Sequence, residues 1–239
     1  MCGRYIFPLL LISLFSCSPS DETPSISVFS ASFDFNQSQD GWEADFTDLP
    51  SYVDDTSFYQ LRFEYTNLPS NLGDRKSLML SGNNHSDDLF MFIKRKITGL
   101  IPNTYYNVVF EVELASNALA GLVGAGGSPG ESVFLKAGAS GIEPKKIAQS
   151  DKYVLNIDKG NQSTSGDNAT VLGDISVPSS SPEYVLISRS NASSEGHQPF
   201  IAQSNDAGEI WLVVGTDSGF EGVTTVYYTK VNVVFSASN

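Results

Sequence analysis

The strongest constraint on this chain is an alternation of apolar and polar residues with a period of two. Over Thr104–Leu114 the residues Tyr106, Val108, Phe110, Val112 and Leu114 fall on one parity, while Asn107, Glu111 and Glu113 fall on the other. Successive strand side chains point to opposite faces, so this pattern buries one face and wets the other; a helix would need a repeat near 3.6. Phe58–Tyr65 repeats it, with Tyr59, Leu61, Phe63 and Tyr65 set against Gln60, Arg62 and Glu64. Thr225–Phe235 does so again, with Tyr227, Val231, Val233 and Phe235 inward and Lys230 and Asn232 outward. Half-buried strands of this kind belong to antiparallel sheets.

Shorter strands are expected at Ser32–Phe35, Trp42–Phe46, Leu78–Leu80, Leu89–Ile93, Val133–Ala137, Tyr153–Ile157, Thr170–Ile175, Tyr184–Ser188, Phe200–Gln203 and Ile210–Val214. Gly, Asn, Asp, Ser and Pro separate them, and no segment has sustained helical periodicity. Many strands without crossover helices predict an all-β fold, an antiparallel β-sandwich or jelly roll. Strand spacing never breaks into a linker after residue 30, so residues 31–239 read as a single domain. Residues 18–30, rich in Ser, Pro and acid, read as a flexible tether.

The stretch from Gly99 through Leu100, Pro102, Asn103, Thr104 and Tyr106 to Phe110 resembles a turn-and-strand shared by fibronectin type III domains and galactose-binding-like, carbohydrate-binding jelly rolls. The resemblance implies a tyrosine corner at Tyr106, whose hydroxyl would bond back to the backbone. Because about 130 residues follow this strand, the larger jelly roll is favoured over the fibronectin module. Phe33-Asp34-Phe35 followed by Asp40-Gly41-Trp42 is similar to the first hairpin of such modules.

The N-terminus is a targeting signal. Arg4 precedes an apolar run, Tyr5–Phe15, too short to span a bilayer. Leu14-Phe15-Ser16-Cys17 then resembles the lipobox of bacterial lipoproteins. The resemblance implies removal of residues 1–16, lipidation of Cys17, and an outer-membrane address from Ser18. Two or three acyl chains anchor far more firmly than one. Cys2 and Cys17 are the only cysteines, so the mature domain would hold together without a disulfide.

Without Arg4 the chain has 13 basic and 27 acidic residues, a net charge of −14. That balance repels nucleic acid and anionic lipid; Lys94-Arg95-Lys96 is the densest basic run. It suits cations or neutral sugars.

No coherent catalytic set emerges. Gly126-Gly127-Ser128-Pro129-Gly130 matches a nucleophile elbow, with Asp158 and His197 following in hydrolase order, but a strand rather than a helix is expected after it. The two histidines, His85 and His197, lack zinc-site spacing. Glu111 and Glu113 share an outward strand face about 6–7 Å apart, compatible with an acid–base pair or with a solvated surface. Lys136 stands out as a lysine in a strand between apolar residues. Calcium is the expected metal, because hard cations take several oxygens. The candidate ligands are Asp87 and Asp88, Asp158, and Asp217 with Glu221, in three Asn- and Asp-rich loops. Turn chemistry alone would place the same residues there. For a sugar the candidates are His85, Asn84, Trp42 and Phe90, supplying rings to stack on and polar groups to bond. The favoured expectation is an envelope lipoprotein of non-catalytic binding type, for glycan or another envelope component. A jelly-roll glycoside hydrolase or lyase, or an adhesive lipoprotein with a protein partner, are the alternatives.

Overall fold

The computed structural model describes residues 27–52, 57–178, 180–192 and 200–238. Cys17, the signal segment and His197 lie outside them. The described residues form fifteen strands: β1 (Val28–Asp34), β2 (Glu43–Thr47), β3 (Leu49–Pro50), β4 (Arg62–Asn67), β5 (Lys76–Asn83), β6 (Leu89–Ile97), β7 (Tyr105–Ser116), β8 (Val133–Ser140), β9 (Lys146–Gln149), β10 (Lys152–Leu155), β11 (Ala169–Asp174), β12 (Val185–Ser190), β13 (Phe200–Gln203), β14 (Ile210–Ser218) and β15 (Val223–Ala237). No described helix is long and apolar enough to cross a membrane.

The fold is the expected antiparallel β-sandwich. One sheet has the order β12-β7-β15-β5-β4, with β1 also paired to β15 and β13 to β7. The other has the order β11-β8-β14-β6-β2. Their inner faces share one core, in which Phe35, Trp42, Phe110, Leu114, Leu135, Leu212 and Phe235 are buried. The tyrosine corner is present: Ile101 N–H donates to the Tyr106 hydroxyl at 2.9 Å.

Three details differ from the alternation. β1 begins at Val28, inside the expected tether, because Phe29 and Ala31 pack on the core and pair with Phe235 and Val233. Residues 57–60 form a turn, so the strand expected from Phe58 starts at Arg62. In β15 the register shifts between Tyr228 and Lys230, so Val226 and Tyr228 face the core and Tyr227 packs outside against Tyr184. An extra residue flips every side chain on one side of a bulge.

Between β8 and β11 the chain leaves the five-stranded sheet and folds back over its outer face. There β3, β10 and β9 form a small third sheet. Leu155 and Ile157 of this excursion cover Phe90, Phe92 and Val213. β6 is therefore buried on both faces, with Met91 and Ile93 in the main core and the stacked rings of Phe90 and Phe92, 5.2 Å apart, beneath the excursion.

Candidate functional site

On the outer face of the five-stranded sheet, Asp217 of β14 and Lys136 of β8 project into the gap beneath the excursion. Each side chain is completely buried. Asp48 follows β2 in a left-handed conformation, φ 63°, which Asp tolerates better than most residues. Its N–H donates to Tyr153 O at 2.7 Å, fixing it to the small sheet. Asp88 comes from the loop before β6. That loop is tied down by buried Asn84, whose amide donates to Ser218 O at 2.8 Å and Phe220 O at 3.0 Å. Lys159 enters from the excursion, where Gly160 adopts φ 71° and a Cβ would come within 2.1 Å of Thr164 O.

The charges interlock. Lys136 Nζ lies 2.9 Å from Asp217 Oδ2 and also donates to Lys159 O at 2.9 Å and Thr164 O at 3.0 Å. Lys159 Nζ lies 2.8 Å from both Asp217 Oδ2 and Asp48 Oδ2, with its ammonium 5.1 Å from the Phe90 ring centre. Gln162 N–H donates to Asp217 Oδ2 at 2.8 Å. One carboxylate oxygen thus takes three donors, while Asp217 Oδ1 and Asp88 Oδ1 are buried with no hydrogen-bond partner and Asp48 Oδ2 is held by its ion pair with Lys159 without a directed hydrogen bond. Carboxylate oxygens of Asp48, Asp88 and Asp217 come within 4.8 Å of one another.

Burial and crowding perturb the protonation equilibria. Burial, reinforced by Asp48 and Asp217, raises the Asp88 carboxyl to about 7. Burial also raises Asp48, against the opposing pull of Lys159, and lowers Lys136 despite Asp217. For Lys159 burial acts downward, but the Asp217 and Asp48 carboxylates outweigh it and the ammonium is favoured. Perturbed groups gathered at one cleft make it the candidate functional site. Here the cleft is about 240 Å³ and is lined by Asp48, Asp88, Gln149, Asp158, Lys159 and Asn161, among others.

The structure brings together two of the five acidic residues proposed as metal ligands, Asp88 and Asp217, and adds Asp48. Asp158 lines the same cleft, but its carboxylate accepts from Gly160 N–H at 2.9 Å and Asp167 N–H at 3.0 Å, which lowers its pKa. Asp87 is exposed; its carbonyl, rather than its carboxylate, joins the site's surroundings by accepting from Gln162 Nε2 at 2.9 Å. Glu221 lies outside the trio, its N–H donating to Ala125 O beside the Gly-rich loop. Of the proposed sugar contacts, Trp42 is wholly buried between Phe33 and Phe35 and Phe90 lies beneath the excursion, so neither offers a ring face to a ligand. Asn84 spends its side chain on loop carbonyls. His85 does remain exposed, stacked at 4.1 Å on the half-exposed ring of Phe58. Ser128 donates to Glu131 Oε2 at 2.6 Å and the strand β8 follows, so the elbow geometry is absent. Glu113 is engaged by Thr229 and Arg75, and Glu111 by Asn232. Sequence reasoning missed Asp48 and Lys159, neither of which carries a local signal; Lys136, an ion among apolar neighbours, did.

A second depression, about 450 Å³, lies near Tyr105, Ile201 and Gln203. Its lining runs from Tyr105, close to where Ser27 meets Ala237, to Asp167 and Asn168, which hydrogen-bond Asp158 of the first cleft, and it holds no buried unpaired polar side chain among the described residues.

No family model and no curated protein matches the chain. Among solved structures, it is similar to a carbohydrate-binding module studied for specific mannan recognition, at 14% identity over 87% of this chain and 98% of that one, TM-score 0.40. A second module, solved with β-1,4-galactotriose, matches at 9% identity over 81% and 87%, TM-score 0.36. The cleaved adhesin domain of Lys-gingipain from Porphyromonas gingivalis matches at 8% identity over 88% and 99%, TM-score 0.33. Similarity at this level carries no argument about ligand; the sandwich stands on its own strand ladders.

Proposed function

We propose that this protein is a lipid-anchored envelope lipoprotein that binds an uncharged glycan, without catalysis, in the cleft above Asp48, Asp88 and Asp217. The observation that carries the reading is the cleft of about 240 Å³ whose lining gathers Asp48, Asp88, Gln149, Asp158 and Asn161, side chains that can hydrogen-bond sugar hydroxyls. A net charge of −14 disfavours anionic polymers. The anchor rests on the Leu14–Cys17 resemblance to a lipobox.

The test is a polysaccharide and cell-wall panel with the full-length chain in detergent, followed by calorimetry. Binding to a neutral polysaccharide, weakened tenfold or more by Asp88→Ala, is the expected result. Failure to bind any fraction, or binding untouched by Asp88→Ala, overturns the reading. Metabolic labelling with palmitate, lost in Cys17→Ala, tests the anchor.

One observation favours a polysaccharide-degrading enzyme as the second reading. Asp88 holds its proton to about pH 7 beside two other carboxyls, as a general acid must. Product release from the same panel, abolished by Asp88→Asn, would select it.

A further inference from the structure

We propose that the Lys159 ammonium is the resident cation of the three-aspartate site, standing where a divalent metal would sit and leaving the site independent of calcium. The oxygens are arranged as a metal would want them, three carboxylates within 4.8 Å. The other oxygen of the fully buried Asp217 side chain, Oδ1, has no hydrogen-bond partner. Yet Lys159 Nζ already bridges two of the three carboxylates at 2.8 Å, and Lys136 lies 2.9 Å from one of them. The two ammoniums thus already balance two of the three carboxylates. Calcium takes six to eight oxygens at about 2.3–2.6 Å. To enter, it would have to push Lys159 off both carboxylates and settle beside the Lys136 ammonium. Asp217 Oδ2, moreover, already receives three donors.

The chain's own lysine does the metal's two jobs. It neutralises the cluster, and it pins the excursion to the sheet, because Lys159 belongs to the excursion and Asp217 to β14. Lysine suits this as a compact charge on a long stem. The inference is independent of glycan binding, since it concerns the protein without ligand.

Removing the ammonium should uncover the metal site. Lys159→Ala leaves three carboxylates against one ammonium and frees the oxygens Lys159 now holds. The experiment is thermal unfolding of the full-length chain in detergent, in EDTA and in millimolar calcium or magnesium. Wild type should melt within about 1 °C in all three. Lys159→Ala should melt lower in EDTA and regain about 5–10 °C with calcium, the size of shift that binding well above Kd produces in a domain this large. Lys159→Ala combined with Asp217→Asn should lose the gain. A wild-type protein that calcium stabilises by several degrees overturns the proposal, whatever the variants do. So does a Lys159→Ala protein that ignores calcium. Should Lys159→Ala fail to fold in EDTA, folding restored by calcium supports the proposal, and failure in both conditions counts against it.

Discussion

Replacing Lys136 by Met tests whether the buried ion cluster holds the outer layer in place. Met keeps most of the stem's apolar volume, so the change isolates the ammonium. Three acceptors lose a donor: Asp217 Oδ2 at 2.9 Å, Lys159 O at 2.9 Å and Thr164 O at 3.0 Å. Asp217 keeps Lys159 and the Gln162 N–H, so it costs less than the ~3–5 kcal/mol of a fully stranded buried charge. The Lys159 carbonyl costs about 1–3 kcal/mol if no water replaces the donor, whereas Thr164 O keeps the Asn161 N–H at 3.1 Å. Relief of the lysine's own desolvation, visible in its lowered pKa, offsets part of this. The net expectation is a loss of ~3–5 kcal/mol, or about 6–20 °C in Tm for a domain of this size. Urea unfolding followed by tryptophan fluorescence measures it. Hydrogen exchange should show the loss first in residues 159–168, before the sandwich strands open. A loss below ~1 kcal/mol, or exchange that rises evenly through both sheets, would refute the argument that Lys136 pins the excursion.

Two further outcomes follow from the same geometry. Tyr106→Phe leaves the ring in the core but strands the Ile101 N–H, so it should cost ~1–2 kcal/mol by chemical denaturation, while Tyr105→Phe on the exposed side should be neutral. For Asp88 the folded state holds a proton to about pH 7 that the unfolded chain releases near 3.8, so its contribution to stability is fullest in acid and is lost as pH rises from about 4 to about 7. The Tm difference between wild type and Asp88→Asn, measured across pH 4–8, should therefore drift against wild type as pH rises and level off above about 7; a flat difference would rule the linkage out.

The fold was legible because period-two alternation reports burial on one face, and Tyr106–Leu114 shows it cleanly. It failed where one residue broke parity. Thr229 sits at the register shift in β15, and no composition cue announces that Tyr227 and Tyr228 exchange faces. β3 is two residues long and β9 is exposed throughout, so neither has a pattern to read. The aromatic residues proposed for sugar contact were misread for a related reason. Trp42 and Phe90 are large and near polar turns, but ring size predicts burial as well as stacking, and Phe90 is covered by a segment more than sixty residues away. The acidic site was half legible. Asp88 and Asp217 could be named from loop chemistry, whereas their convergence with Asp48 and Lys159 depends on the excursion folding back over the sheet.

That folding back also fixes where the cleft stands relative to the chain's entry. Ser27 and Ala237 mark one end of β15, while Val223 pairs with Asn83 at the other, beside the loop that carries Asp88. Fifteen residues of strand span ~50 Å at ~3.3 Å each. On the lipoprotein reading, an anchor at Cys17 joins the end near Ser27 through ten residues, a reach of at most ~35 Å. On that reading Ser27 is the described residue nearest the anchor along the chain, and the loop that carries Asp88 lies toward the other end of β15. A site held there by Lys136 and Lys159 keeps its shape without recruiting calcium. Calcium-dependent recognition by the wild-type protein would show that the Lys159 ammonium does not fill the site, whichever sugar is bound.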